Sequence, residues 1–183
     1  MENNKELKIV VEGCVKGKRK HQKKLFELFY GKMMGVCLRY AKNNDEAKDM
    51  VQNGFIKVYA KLDIFNFSGS LEGWIRRIMV NTAIDHIRKN KNNPFSIEDD
   101  ARFKNLEEDI PFDLEENENE TKLKAEQAIS AISKLSPAYK TVFNLYVIEG
   151  YTHKEIADYL NISEGTSKSN LAKAKQKLRL LLG

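Results

Sequence analysis

Apolar residues in this chain recur at helical spacing over two long stretches, and no alternating apolar–polar run competes with them. Stripes of the i, i+3, i+4 kind give each helix one face to bury, so an all-α fold is predicted. The first stretch runs from Lys5 to about Lys91. Leu25, Leu28, Phe29, Met33, Val36 and Cys37 form a stripe of about five turns. Asp45 stands at a helix start, and Met50, Val51, Phe55, Val58 and Leu62 carry the next stripe. Phe65 to Gly69 interrupt the pattern. Ser70 then caps a helix bearing Leu71, Trp74, Ile75, Ile78, Ala83, Ile84 and Ile87, with Gly73 as an internal blemish. Lys89 to Pro94 close the block.

The second stretch resumes at Lys122, with Leu123, Ala128, Ile129 and Ile132 on one face. Ser136-Pro137 opens the following helix in N-cap and N1 order. Val142, Phe143, Leu145 and Tyr146 form its expected core face, and Gly150 ends it. The architecture predicted is therefore two small helical domains, an N-terminal bundle over 1–91 and a C-terminal domain over 122–183. A flexible acidic linker over 92–121 joins them, and a short docking segment is conceivable there around Phe103, Leu106, Ile110 and Phe112.

Charge follows the same division. Residues 1–97 hold 19 Lys and Arg against 10 Asp and Glu, whereas residues 98–120 hold 2 against 11. Residues 121–183 hold 10 basic side chains and 5 acidic ones. Two basic blocks around an acidic bridge suit polyanion-binding modules on a self-repelling tether, although solvated lysine-rich helices would give the same count.

Several classes are excluded. No run approaches the ~18 apolar residues of a membrane span, and Met1 to Lys8 lacks a secretory signal's apolar stretch, so a cytoplasmic protein is expected. Cys14 and Cys37 sit inside apolar patterns and read as buried, reduced thiols. No Ser/His/Asp, phosphate-loop or zinc-ligand constellation occurs, so no enzyme, no metal and no cofactor is expected.

After Gly150 the residue order is that of a helix-turn-helix. Thr152 and Glu155 fit a capping box for a short helix packed through Ile156, Ala157 and Leu160. Asn161-Ile162-Ser163 makes a three-residue turn with Ile162 as its buried plug. A second helix from Ser163 or Glu164 carries Lys168, Lys173, Lys175 and Lys177, the arrangement that enters a major groove. An ordinary helical hairpin would not need four outward lysines. His153 and Asp158 do not share a helical face, so His153 reads as a solvent-facing residue near a helix start.

In the first half, Asp45-Glu46-Ala47-Lys48-Asp49-Met50-Val51-Gln52 precedes Phe55-Ile56-Lys57-Val58-Tyr59. The run Gly69-Ser70-Leu71-Glu72-Gly73-Trp74-Ile75-Arg76-Arg77-Ile78 follows, continuing through Asn81 and Asp85 to Arg88. With the terminal helix-turn-helix, these motifs resemble the bacterial sigma factors of RNA polymerase, in the extracytoplasmic-function (ECF) group of the sigma-70 family. The resemblance covers roughly residues 20–91 and 122–181.

The resemblance implies one helical domain per promoter element, both held on core RNA polymerase at the clamp of its largest subunit and the flap of its second. Asp45, Asp49 and Gln52 correspond to the clamp-docking edge, with Val51 and Phe55 in the domain's own core. The family departs from this chain at Lys48 and Asn53, where acidic residues are common. A flipped minus-ten base would be held by Phe65, Asn66 and Phe67 with Asn81 beneath, an aromatic face and an amide edge. Phe67 stands where glycine is often found. Arg76, Arg77, Asp85 and Arg88 complete the implied minus-ten set, with Lys89 and Lys91 on phosphates. Trp74 fits the core stripe better than a stacking role. Lys168, Ser169, Ala172 and Lys173 fall on the base-reading positions for the minus-thirty-five element, and Thr166 and Lys175 on phosphates. Promoter DNA and an anti-sigma factor are the further implied partners. A conventional helix-turn-helix regulator, with a sensing or dimerising first half, is the competing reading; it would bind duplex DNA unaided.

Overall fold

In the computed structural model, which describes residues 2–89 and 127–182, the first stretch forms four helices. α1 (Glu2–Val15) is stopped at Gly17, whose φ of +70° suits a residue without a Cβ. Gly17 N–H donates to the Cys14 carbonyl at 2.9 Å and Lys18 N–H to that of Gly13 at 3.0 Å, a Schellman closure. α2 (Arg19–Leu38) buries Leu25, Phe29, Met33, Val36 and Cys37. Leu28, expected in that stripe, is instead exposed, because it lies a third of a turn beyond the face fixed by Leu25 and Phe29.

α3 (Asn44–Lys61) starts one residue before Asp45. Asn43 is its cap, accepting from Glu46 N–H at 2.8 Å. A single 3₁₀ turn, Leu62–Ile64, leads into the Phe65–Gly69 loop. α4 (Leu71–Lys89) begins as expected at Ser70, whose Oγ accepts from Gly73 N–H at 3.3 Å. α3 packs on both α2 and α4. Leu25, Val51, Val58, Ile75 and Met79 are fully buried between them, and burial of each such side chain stabilises the fold by ~1.5–3 kcal/mol. Gly54 permits this approach, since a Cβ there would overlap the Met79 sulfur. Trp74 is half-buried against Phe65, a structural position. Cys14 and Cys37 are buried free thiols, pushed up by burial to about 11 and about 12.

The second stretch contains α5 (127–133), α6 (Pro137–Phe143), α7 (His153–Leu160) and α8 (Glu164–Leu182). Ala131 and Leu135 pack with Ala174 and Leu178 of α8, and Ile132, Tyr139 and Phe143 cover that cluster. Ile129 is exposed rather than in the core, because Ala131 and Leu135 set the buried face one residue round. Pro137 stands at N1 after Ser136. α6 continues into a π-helical turn, Asn144–Ile148. The extra residue of that turn keeps Leu145 buried but swings Tyr146, an expected core residue, to the surface.

The chain divides into two compact units, Met1–Asn90 and Lys91–Gly183. The proposed linker and its candidate docking segment lie outside the described residues, as do Lys91, Lys122 and Leu123. No described helix is long and apolar enough to cross a membrane.

Candidate polymerase and nucleic-acid interfaces

The buried face of α3 comprises Ala47, Met50, Val51, Gly54, Phe55 and Val58. Helical geometry therefore sends Asp45, Asp49 and Gln52 to the opposite side, and all three are exposed. Ile56 continues the same line one turn on and is 65% exposed, an apolar residue at the end of a polar edge. Asp45 is ion-paired with Lys48 at 2.9 Å on the surface, so Lys48 tempers the charge at the helix start.

Beyond α3, the loop before α4 is built from aromatic contacts. Phe65 is almost covered, with its ring centroid 4.9 Å from Phe67 and 5.4 Å from Trp74. Phe65 thus supports the loop, and Phe67 is the ring with accessible surface, 38% exposed. Phe67 has φ +61°, a left-handed conformation costly for a residue with a Cβ. Asn66 stabilises the bend by accepting from Ser68 N–H at 3.1 Å and Ser68 Oγ–H at 2.7 Å. Val11 and Val15 of α1, Leu62, Phe65 and Phe67 line an apolar cleft of about 280 Å³ beside the loop.

On α4, Asn81 is half-buried, and its Oδ1 is a buried acceptor with no hydrogen-bond partner among the described residues. Arg76 is half-buried, while Arg77 and Arg88 are exposed. Asp85 is half-exposed, and its carboxylate accepts from Lys57 Nζ at 2.8 Å, tying α4 to α3.

In the second unit, Thr152 and Glu155 form the capping box, with Thr152 N–H donating to the Glu155 carboxylate at 2.9 Å. α7 ends at Asn161, whose φ of +56° is one that asparagine tolerates. Ile162, expected as a buried plug, is half-buried. Ser163 caps α8, accepting from Thr166 N–H at 2.9 Å, and its hydroxyl also meets that of Thr166 at 2.9 Å.

α8 buries Ser167, Asn170, Leu171, Ala174 and Leu178 against the domain. Gly165, Ser169, Ala172 and Gln176 occupy the opposite face. That face is nearly flat, because three of its four side chains are small. Lys168 and Lys175 flank it on one side, and Thr166 and Lys173 on the other. Lys173 Nζ lies 5.9 Å from the Tyr139 ring centroid, an arrangement that steadies it against α6.

His153 is corrected too. It is half-buried, its Nδ1 stands 2.9 Å from Ser167 Oγ, and its ring stacks on Tyr146 with centroids 4.5 Å apart. Burial first, and then the charges of Lys168 and Lys175, lower its pKa, with Glu164 acting in the opposite sense.

Two family descriptions match the chain in order: sigma-70 region 2 over residues 25–93 and sigma-70 region 4 over residues 125–178. The chain belongs to the sigma-70 family. It is similar to the ECF RNA polymerase sigma factor SigW of Bacillus subtilis, 28% identical over 159 residues, which are 85% of each chain. It is also similar to the ECF RNA polymerase sigma-E factor of Haemophilus influenzae, 28% identical over 171 residues, 91% of this chain and 90% of that one. Such relatives put it in the ECF group. Among solved structures, the sigma factor RpoE in complex with the anti-sigma factor NepR from Bartonella quintana is 22% identical, at a TM-score of 0.49. That match covers 87% of this chain and 95% of that one.

Within the sigma fold, the region 2 unit holds Asp45, Asp49 and Gln52 on one edge of α3, and Phe65, Asn66 and Phe67 in one loop. The region 4 unit gathers Thr166, Lys168, Ser169, Ala172, Lys173 and Lys175 along the outer side of α8. Ile56 joins the α3 edge through its spacing from Asp49 and Gln52, a signal present in the residue order. The Glu46–His86 and His153–Ser167 contacts join separate helices and leave no local pattern.

Proposed function

We propose that the α3 edge of Asp45, Asp49, Gln52 and Ile56 docks on the clamp of core RNA polymerase. Phe67 and Asn81 receive an unstacked base of the minus-ten element, with Asn66 shaping the loop and Phe65 supporting it from behind. Arg76, Arg77 and Arg88 grip the strand's phosphates. The flat outer face of α8 reads the minus-thirty-five element through Lys168, Ser169, Ala172 and Lys173, while Thr166 and Lys175 meet phosphates. The protein is a sigma factor that directs transcription initiation.

The observation that carries this assignment is the ordered pair of sigma regions, each on its own helical unit. The proposed partners are core RNA polymerase, promoter DNA and an anti-sigma factor, and the compartment is the cytoplasm, where the polymerase works. No reaction is assigned to the chain's own residues. Pull-down with core polymerase followed by run-off transcription tests the assignment. Polymerase-dependent initiation at a discrete start site supports it; tight binding of duplex DNA by the chain alone, with no capture of core, returns the conventional regulator.

A further inference from the structure

His153 is held by three elements at once. Its backbone begins α7, its ring lies flat on Tyr146 of the π-helical turn, and its Nδ1 meets Ser167 Oγ of α8. Ser167 is completely buried, so its hydroxyl has no access to bulk water. The next two residues of α8, Lys168 and Ser169, are base-reading candidates. A displacement of Ser167 therefore moves the reading end of the helix directly.

We propose that His153 is a positioning residue for the reading end of α8, acting through Ser167. This deepens the proposed minus-thirty-five recognition and rests on it. The π-helical turn gives the arrangement its logic: by turning Tyr146 outward, it supplies the flat surface against which the imidazole is oriented. Two contacts at roughly right angles, one stacking and one hydrogen-bonding, leave the ring a single orientation. Replacing the imidazole by a methyl group leaves a buried hydroxyl unanswered and releases Tyr146.

The charged and titratable groups around the ring are Lys168, Lys175, Glu164 and Tyr146. Burial, and then the two lysines, lower the imidazole pKa in the free protein, against the opposing pull of Glu164. The first helix of a helix-turn-helix crosses the DNA backbone, so phosphates arriving beside α7 favour the imidazolium. As imidazolium, Nδ1–H donates to Ser167 Oγ, so the contact and the positioning survive protonation. By linkage, binding takes up a proton, and affinity gains an increment as pH falls.

The test uses holoenzyme, reconstituted from core polymerase and the full chain, on a duplex selected by that holoenzyme from a random-sequence pool. Closed-complex affinity is measured between about pH 5 and 7.5, spanning the range where histidine titrates. At pH 7.5, His153→Ala and Ser167→Ala should each weaken binding about tenfold, and the double variant no further, as for one shared buried hydrogen bond. His153→Asn places an amide nitrogen where Nδ1 stands. It should recover most of the affinity at pH 7.5 while losing the extra gain that wild type shows as pH falls.

Lys168→Ala is the control for the underlying recognition. If it binds the selected duplex like wild type, minus-thirty-five reading by α8 is wrong. If Lys168→Ala binds poorly but His153→Ala stays within twofold of wild type, the positioning role alone is overturned. A His153→Asn chain that binds no better than His153→Ala at pH 7.5 also overturns it. Circular dichroism melting of each variant separates loss of fold from loss of position. A His153→Ala chain that does not fold leaves Ser167→Ala and the affinity of His153→Asn at pH 7.5 to decide.

Discussion

His86 Nε2 stands 2.9 Å from Glu46 Oε1, linking the last turn of α4 to the first turn of α3. Glu46 Oε2 also accepts from the Lys42 backbone N–H. Burial pushes the Glu46 carboxyl up, but the Lys42 amide and His86 together outweigh it, and the pKa lies below the ordinary 4.5. A carboxyl depressed in the folded state contributes stability above its ordinary pKa, and the contribution is lost as pH falls through the folded value. Urea denaturation should show wild type losing stability below about pH 4.5 more steeply than Glu46→Gln. At pH 7, Glu46→Gln should cost about 1 kcal/mol. Identical curves for the two proteins would remove Glu46 as a clasp.

Phe67 sets conformation against function. Because φ is +61°, Phe67→Gly should be more stable than Phe67→Ala by about 1–2 kcal/mol, the reverse of the usual order within regular structure. Both variants lack the ring, so both should give fewer open complexes by permanganate footprinting. If alanine proved the more stable of the two, the left-handed backbone would not persist in solution.

The α3 edge gives a separation of effects. Asp49→Lys, Gln52→Ala and Ile56→Ala should each weaken core polymerase binding while changing melting temperature little, since these side chains are exposed. Val51→Ala, at a fully buried site, should instead lower stability by ~1–3 kcal/mol. Wild-type core affinity in all three edge variants would mean that another surface docks.

Lys168 and Asn81 should fail at different stages. Lys168→Ala should cost ~1–3 kcal/mol in closed-complex binding, and the loss should depend on upstream sequence. Asn81→Ala should bind duplex almost normally but form fewer open complexes, with incomplete rescue by a pre-melted bubble. Equal losses at the closed stage would merge the two roles.

What could be foreseen followed the range of the interaction. The Thr152–Glu155 box and Ser136–Pro137 depend on neighbours within one turn, and the residue order was enough for both. The core of α3 was legible because Val51 and Phe55 obey a regular period. Tyr146 was misjudged because a π-helical turn breaks that period with no marker residue. The Lys57–Asp85 and His153–Ser167 contacts leave no local pattern, because each partner approaches from another helix. Phe65 and Phe67 are the same residue type two positions apart, and only the fold separates the covered ring from the open one.

The bare backbone at Gly54 has a mechanical consequence. With no Cβ at that position, α3 and α4 meet through the Met79 thioether, so the helix that carries the proposed docking edge and the helix that carries Asn81 are in direct contact. A side chain at position 54 would force Met79 to another rotamer or separate the two helices locally, and the spacing of the two proposed surfaces would change without the loss of any residue in either.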